Sequence, residues 1–251
     1  MSLCLEVAVD SPSGFKAAIA GGAHRIELCA ALSVGGLTPS PGLMRLAAET
    51  ATPVRAMIRP RIGGFVYTPT EYDVMRRDID AVREAGLAGI VIGANRLTGE
   101  LDEDLLRRLA DHAQGLEIAL HRAIDLTPDP LAALETAIEL RFNTILTSGR
   151  APKAIDGLET LTALNRQAAD RIEIMPGGGI NADNAQRLVE TTGVTWLHAS
   201  CSEPLPVIDK ADVSLGFITP DARDTSHTAV LRLTQVLGDL SRLSKPEAHT
   251  I

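Results

Sequence analysis

Met175-Pro-Gly-Gly-Gly-Ile-Asn181 follows a short apolar run, Arg171-Ile-Glu-Ile174, and opens a helical pattern over 182–191. Glycines at a strand-to-helix turn let backbone N–H groups approach an anion, and the helix N-terminus behind them adds partial positive charge. A second strand pattern, Val194-Thr-Trp-Leu-His198, follows directly and ends in Ala199-Ser200. Two successive strand ends of this kind, after strands seven and eight, form a common phosphate site in barrel enzymes. A glycine turn alone is more often a tight connection. Its position in the whole chain decides the reading.

The rest of the chain repeats the same unit. Strand patterns at 3–9, 25–28, 54–59, 89–92, 116–121, 144–147, 172–175 and 194–198 lead into helical patterns at 11–20, 41–51, 70–85, 102–114, 128–140, 152–168, 182–191 and 226–243. Helix ends carry their usual signals. Pro128 follows a cap candidate at Thr127, and glycines close helices at Gly21-Gly22, Gly86 and Gly193. Eight strand–helix units in this length predict an α/β fold of the (β/α)8 TIM-barrel type, with a doubly wound sheet as the alternative. One domain spans 1–243, with a Pro-rich excursion at 203–220 after strand eight. A loose tail is expected at 244–251.

Bulk properties agree. With 251 residues and 45% hydrophobic content, the chain can bury one large core. Aromatics make up only 3%, so that core is aliphatic. The formal net charge of −8, without a basic stripe, argues against nucleic-acid and anionic-membrane partners. No signal-like or membrane-spanning run occurs, and a cytoplasmic protein is expected. The three widely spaced cysteines, Cys4, Cys29 and Cys201, do not form a disulfide framework.

Alternation along the strands assigns their faces. Leu3, Leu5, Val7 and Val9 face the helices, and Cys4, Glu6, Ala8 and Asp10 face the interior. Arg25, Glu27 and Cys29 point inward from the second strand, Arg55, Met57 and Arg59 share a face of the third, and Glu117, Ala119 and His121 share one of the fifth. Glu173 goes with Met175, and Trp196 with His198. The interior is therefore rich in charge, and buried charges are costly unless paired. Low in the strands this reads as a structural ion-pair network. At or past the strand ends it reads as a polar site made of Glu27, Arg59, Arg61, His121, Arg122, Asp125, Ser148 and His198.

Within His121-Arg-Ala-Ile-Asp125, a histidine suits proton transfer near neutral pH, Arg122 suits an anion, and Asp125 can orient either. The plainer alternative is that His121 caps its strand and Asp125 turns the loop. Arg59 and Arg61 can clamp phosphate or carboxylate, or cover the barrel mouth by pairing with Asp10 or Asp125. None of the lysines, Lys16, Lys153, Lys210 and Lys245, sits at a strand end, which counts against Schiff-base chemistry. No dinucleotide fingerprint, Walker loop or closely spaced zinc motif is found.

Several of these motifs together resemble one family. Leu5-Glu6-Val7, Arg25-Ile-Glu-Leu-Cys29, Gly35-Gly-Leu-Thr-Pro-Ser40, Met57-Ile-Arg-Pro-Arg61, His121-Arg-Ala-Ile-Asp125, Leu146-Thr-Ser-Gly149, Met175-Pro-Gly-Gly-Gly179 and His198-Ala-Ser200 are similar, in order, to the CutC family. The resemblance implies a cytosolic TIM barrel associated with copper homeostasis, often oligomeric, so a homo-oligomer is expected. It also implies Cu(I) binding by two cysteines, at the ends of strands one and two, where two soft thiolates would suit the ion. Here those positions hold Ala8 and Cys29. Cys4 lies ~13 Å lower on the first strand. Cys201, just past strand eight, is the remaining candidate partner for Cys29, with Met175 and His198 as further candidates.

Three readings follow. The first, and the expected description, is copper handling through Cys29 and Cys201. The second is a metal-independent enzyme or ligand-binding barrel for a small anionic, phosphorylated molecule. Gly177, Gly178, Gly179, Ser148 and Ser200 would bind the phosphate. Arg59 would take a second acidic group, and His121 or Glu27 would move a proton, as in an isomerase or epimerase. Arg122, Asp125 and His198 complete that set. The third is a sensing or scaffold barrel without turnover.

Overall fold

Leu5, Val7 and Val9 are fully buried on one face of the first strand, and Glu6 and Ala8 are buried on the other. A strand buried on both faces belongs inside a layer of helices, as in a parallel barrel. The computed structural model describes residues 2–243, so the expected tail at 244–251 lies outside the described residues. Its elements are β1 (Cys4–Val9), α1 (Pro12–Ala20), β2 (Arg25–Leu28), α2 (Pro41–Ala47), β3 (Val54–Met57), α3 (Pro69–Ala85), β4 (Gly89–Ile92), α4 (Glu103–His112), β5 (Glu117–Leu120), α5 (Pro130–Glu139), β6 (Thr144–Thr147), α6 (Leu158–Ala168), β7 (Glu173–Pro176), α7 (Ala185–Thr192) and β8 (Trp196–Ala199). The excursion follows as β9 (Ser202–Pro204), α8 (Lys210–Ser214) and β10 (Arg223–Thr225), and α9 (His227–Leu243) ends the fold.

Eight parallel strands run in the order β7-β6-β5-β4-β3-β2-β1-β8. A parallel bridge between Gly177 and His198 brings the two outer strands together, so the sheet rolls into a (β/α)8 barrel. β9 and β10 form a separate antiparallel pair. No helix among the described residues is long and apolar enough to cross a membrane.

Local chemistry sets the helix starts. Ser11, Ser40 and Thr68 cap α1, α2 and α3 with their hydroxyls, each just before a proline, and Thr68 forms a capping box with Glu71. The cap expected at Thr127-Pro128 falls two residues later. Asp129 accepts from the Leu131 and Ala132 N–H groups, with Pro130 as the first helical residue. Thr127 instead ends a short 3-10 turn over Arg122–Leu126 and donates its hydroxyl to the Ile124 carbonyl. α7 starts at Ala185 rather than 182, because Asn181 and Asn184 bond backbone N–H groups of their own turn and offer it an alternative to helix.

The lower interior is an ion-pair network, as the inward charges predict. Arg25 bonds Glu6, reaches Glu173 Oε1 at 2.8 Å and stacks 3.8 Å over Trp196. Arg55 reaches Glu117 Oε2 at 2.8 Å and Thr144 Oγ1 at 2.9 Å. The Thr144 hydroxyl donates a hydrogen bond to Glu173 Oε1 at 3.0 Å. Burial alone would raise the Glu6 carboxyl, but the His198 hydrogen bond and the Arg25 and Arg55 charges hold it down at about 2.

Removing the Glu6 charge would leave Arg25 and Arg55 buried without it. Glu6→Gln is therefore expected to destabilise the fold by about 3–5 kcal/mol at neutral pH, measured by urea unfolding. A carboxyl held low stabilises above its ordinary value near 4.5 and loses that contribution as pH falls through about 2. The gap between wild type and variant should therefore narrow from pH 5 towards pH 2. A gap that stays constant over that range would contradict this account.

Candidate functional site

A cavity of about 800 Å³ opens at the C-terminal ends of the strands, where barrel folds place their chemistry. Glu27, Met57, Arg59, His121 and His198 reach it from the strands. The Gly177–Gly179 turn forms one side, and Leu205, Phe217 and Ile218 of the excursion form another. The stretch after β8 is thus a wall of the site, a role the sequence pattern did not indicate.

Glu27 and His198 occupy its acidic end. β1 lies between their strands, and the register that sets Glu6 beside His198 also sets Ala8 beside Glu27. His198 Nδ1 lies 2.9 Å from Glu6 Oε1, and its Nε2 lies 3.7 Å from Glu27 Oε2. Burial would lower the His198 pKa, but the charges of Glu27 and Glu6 raise it instead. Burial raises the Glu27 carboxyl, against the His198 charge. Glu27 Oε2 accepts from the Cys29 thiol at 3.6 Å, while Oε1 is buried with no hydrogen-bond partner.

His121 faces the cavity from the end of β5. The Ala123 N–H donates to its Nδ1 at 3.1 Å, so the proton of the neutral ring sits on Nε2. That Nε2 is buried without a partner. Burial, and then the Arg59 charge, lower the His121 pKa to about 3. The group expected to give and take protons near neutral pH is therefore a fixed neutral donor. Its ring needs Gly93, since a Cβ there would come within 2.4 Å of His121 Cε1. Phe65, a contributor that sequence reasoning missed, packs tilted against the His121 ring with centroids 4.5 Å apart, and the Arg59 guanidinium lies 5.2 Å from the Phe65 ring centroid.

The two arginines flanking Pro60 part company. Arg59 donates from Nη1 to the Val34 and Gly36 carbonyls and from Nη2 to Gly63, so it staples two loops over the mouth. Its Nε is buried and unpartnered, and these three bonds also leave one Nη2 N–H unused. Arg61 turns away to Glu71 and to the Gly64 and Val66 carbonyls. The pairings considered for Asp10 and Asp125 go elsewhere: Asp10 accepts from the Leu32 N–H, and Asp125 ties Arg122, Thr147 and Ser148.

Arg122 lies at the side of the glycine turn. Gly178 and Gly179 have φ of +107° and +72°, which disfavours any side chain there. A Cβ on Gly178 would stand 3.6 Å from Arg122 Nη1. Arg122 is held by Asp125 through Nε and by Ser148 and the Ala151 carbonyl through Nη2. Its Nη1 carries no hydrogen bond among the described residues. Ser148 is fully buried behind Arg122, its hydroxyl engaged by Asp125, Arg122 and Ala151. Ser200 is on the cavity wall, exposed, with its hydroxyl 3.2 Å from that of Ser202.

The two candidate sulfur ligands pack into different apolar clusters. Cys29 is buried among Met57, Val91 and Ala119, and burial together with the Glu27 charge pushes its thiol well up. Cys201 packs against the main hydrophobic core, and burial pushes its thiol to about 12. The donor set that does come together is Glu6, Glu27 and His198, with one atom from each within 4.8 Å of the others. These are harder oxygen and nitrogen donors, and Glu6 is already bound to Arg25. The residues present therefore do not fit a two-thiolate Cu(I) site.

Fold and site together define a TIM-barrel protein with a polar cavity at the strand ends, flanked by a glycine turn. The CutC family model matches residues 3–203. A CutC family protein of Rhizobium meliloti is 52% identical, covering 91% of this chain and 93% of its own. One of Caulobacter vibrioides is 50% identical, covering 93% and 96%. The crystal structure of CutC from Streptococcus agalactiae, described provisionally as a copper homeostasis protein, superposes with a TM-score of 0.76 at 32% identity, covering 79% of this chain and 98% of that one. Phosphoribosylanthranilate isomerase of Thermotoga maritima shares the fold at a TM-score of 0.56 and 12% identity. The chain belongs to the CutC family.

Gly93→Ala should displace the His121 ring and destabilise the protein by about 1–3 kcal/mol, the usual effect of overpacking. Thermal unfolding together with the imidazole NMR signals would check it. An unmoved His121 resonance would show that the ring does not depend on this glycine.

Proposed function

We propose that this CutC-family barrel binds a small anionic metabolite, phosphorylated, in its mouth cavity, and that the Glu27–His198 pair moves a proton there. One observation carries the reading. The left-handed Gly178–Gly179 turn stands beside the unpaired Nη1 of Arg122, on a cavity large enough for a sugar phosphate. A guanidinium N–H and a glycine turn are complementary to phosphate oxygens. Asp125 and Ser148 fix the Arg122 fork from behind, so little side-chain freedom is lost on binding.

The Streptococcus agalactiae relative carries a copper-homeostasis description, and the alternative reading extends that role to this chain. Ala8 in place of a thiol beside Cys29, and the carboxylate against Cys29, count against a Cu(I) site of the two-cysteine kind. Homeostasis by other means would not need one.

Two measurements separate the readings. Sugar phosphates are expected to raise the unfolding midpoint, with about 2.7 kcal/mol of stabilisation at a hundredfold excess over Kd, whereas the free sugars do not. Arg122→Gln should weaken the phosphate ligands at least tenfold; equal stabilisation in the variant would remove Arg122 from the site. In a Cu(I) titration against a competing chelator, wild type and Cys29→Ser should behave alike. Tight binding that the variant loses would restore the copper reading.

A further inference from the structure

Three side chains that line the cavity hold polar atoms with no partner: Glu27 Oε1, His121 Nε2 and Arg59 Nε. Each residue is more than nine-tenths buried. Each atom is buried and makes no hydrogen bond to the described residues, a costly arrangement in a folded protein. They are an acceptor from β2 and two donors from the ends of β3 and β5. All three belong to the same cavity as the glycine turn. Phe65, on the irregular loop between β3 and α3, packs its ring beside both His121 and Arg59.

A phosphate at Arg122 does not account for these groups. A buried carboxylate acceptor and two donors lining one cavity match a carbonyl compound that has an acidic C–H beside the carbonyl. We infer that the cavity enolises such a compound, with Glu27 taking the proton from the carbon next to the carbonyl and His121 donating from Nε2 to the carbonyl oxygen. The C–H bond breaks and its proton goes to Glu27. The electron pair forms the carbon–carbon double bond of the enolate, and the carbonyl π pair moves onto the oxygen held by His121, with Arg59 Nε as a second donor. Reprotonation reverses these changes, so no oxidant, reductant or metal is required.

The surrounding residues fit these roles. Because Nδ1 is engaged by Ala123, the His121 donor keeps one orientation, and a neutral imidazole is an effective donor to a developing oxyanion. His198 Nε2, 3.7 Å from Glu27 Oε2, offers the carboxyl a path for proton exchange with the cavity. His198 is itself a positioning residue, held by Glu6. The substrate class is a phosphorylated α-hydroxy carbonyl compound, which rests on the anion reading above for its phosphate end.

The test is loss of the ¹H NMR signal at the α-carbon in D2O, with dihydroxyacetone phosphate, ribulose 5-phosphate and fructose 6-phosphate as probes. Wild type should exchange the α-hydrogen of at least one probe faster than a buffer control. Glu27→Gln should slow that exchange by about 100-fold or more. His121→Leu should slow it by about 100-fold to 1,000-fold, and His121→Gln, which keeps a donor, should recover part of the loss. Ligand-induced stabilisation measured on the same samples reports binding separately. Binding without exchange would overturn the enolisation while leaving the anion reading intact, and so would exchange that Glu27→Gln leaves unchanged. Absence of binding by any probe would overturn both.

Discussion

Glu6 is the group on which the interior depends. It is the common partner of Arg25 below and His198 above, with Arg55 4.0 Å away. A carboxylate that deep is tolerable only because its neighbours oppose its desolvation. The same ionisation settles the next layer. With Glu6 charged, His198 gains a proton partner at Nδ1, and its other nitrogen is directed to Glu27. The structural network low in the barrel and the polar groups at its mouth are therefore one connected system, with Glu6 at the junction.

This connection explains why the two histidines behave differently though both are buried. His198 stands between two carboxylates, and their charges outweigh burial. His121 has the Arg59 guanidinium nearby and an aromatic ring on its face, so burial and charge act together to keep it neutral. One fold thus supplies, on the lining of one cavity, an imidazole whose pKa is raised and one whose pKa is lowered. The difference comes from which strands neighbour each residue, since both sit at strand ends.

Strand alternation and helix caps made the barrel readable. The inward set from Glu6 to Trp196 needed only the period of two, and the network it implies is the one found. The roles of the arginines were less readable. Arg59 and Arg61 look equivalent in Met57-Ile-Arg-Pro-Arg61, yet one staples loops from β2 and β3 and the other pairs with α3. Those partners are carbonyls and a carboxylate brought together only by loop conformation, which has no periodicity to read. Ser148 illustrates the same limit: a hydroxyl beside a strand end looks available, but Asp125 and Arg122 close around it. His121 was legible from its motif and strand face, whereas the room that Gly93 leaves for its ring just past the neighbouring strand shows only in the structure.

The fate of Cys29 follows from the same electrostatics. A thiol becomes a strong Cu(I) ligand as a thiolate, and thiolates form near positive charge. Here the nearest charged group is Glu27, and Ala8 leaves the adjacent strand without a sulfur partner. What remains beside Cys29 is a carboxylate with one free oxygen. Losing the second thiol weakens a soft-metal site far more than it disturbs a carboxylate–imidazole pair, because Glu27 and His198 are held by the barrel network and not by the sulfur. What the arrangement keeps is the carboxylate–imidazole pair on which the proposed proton transfer rests.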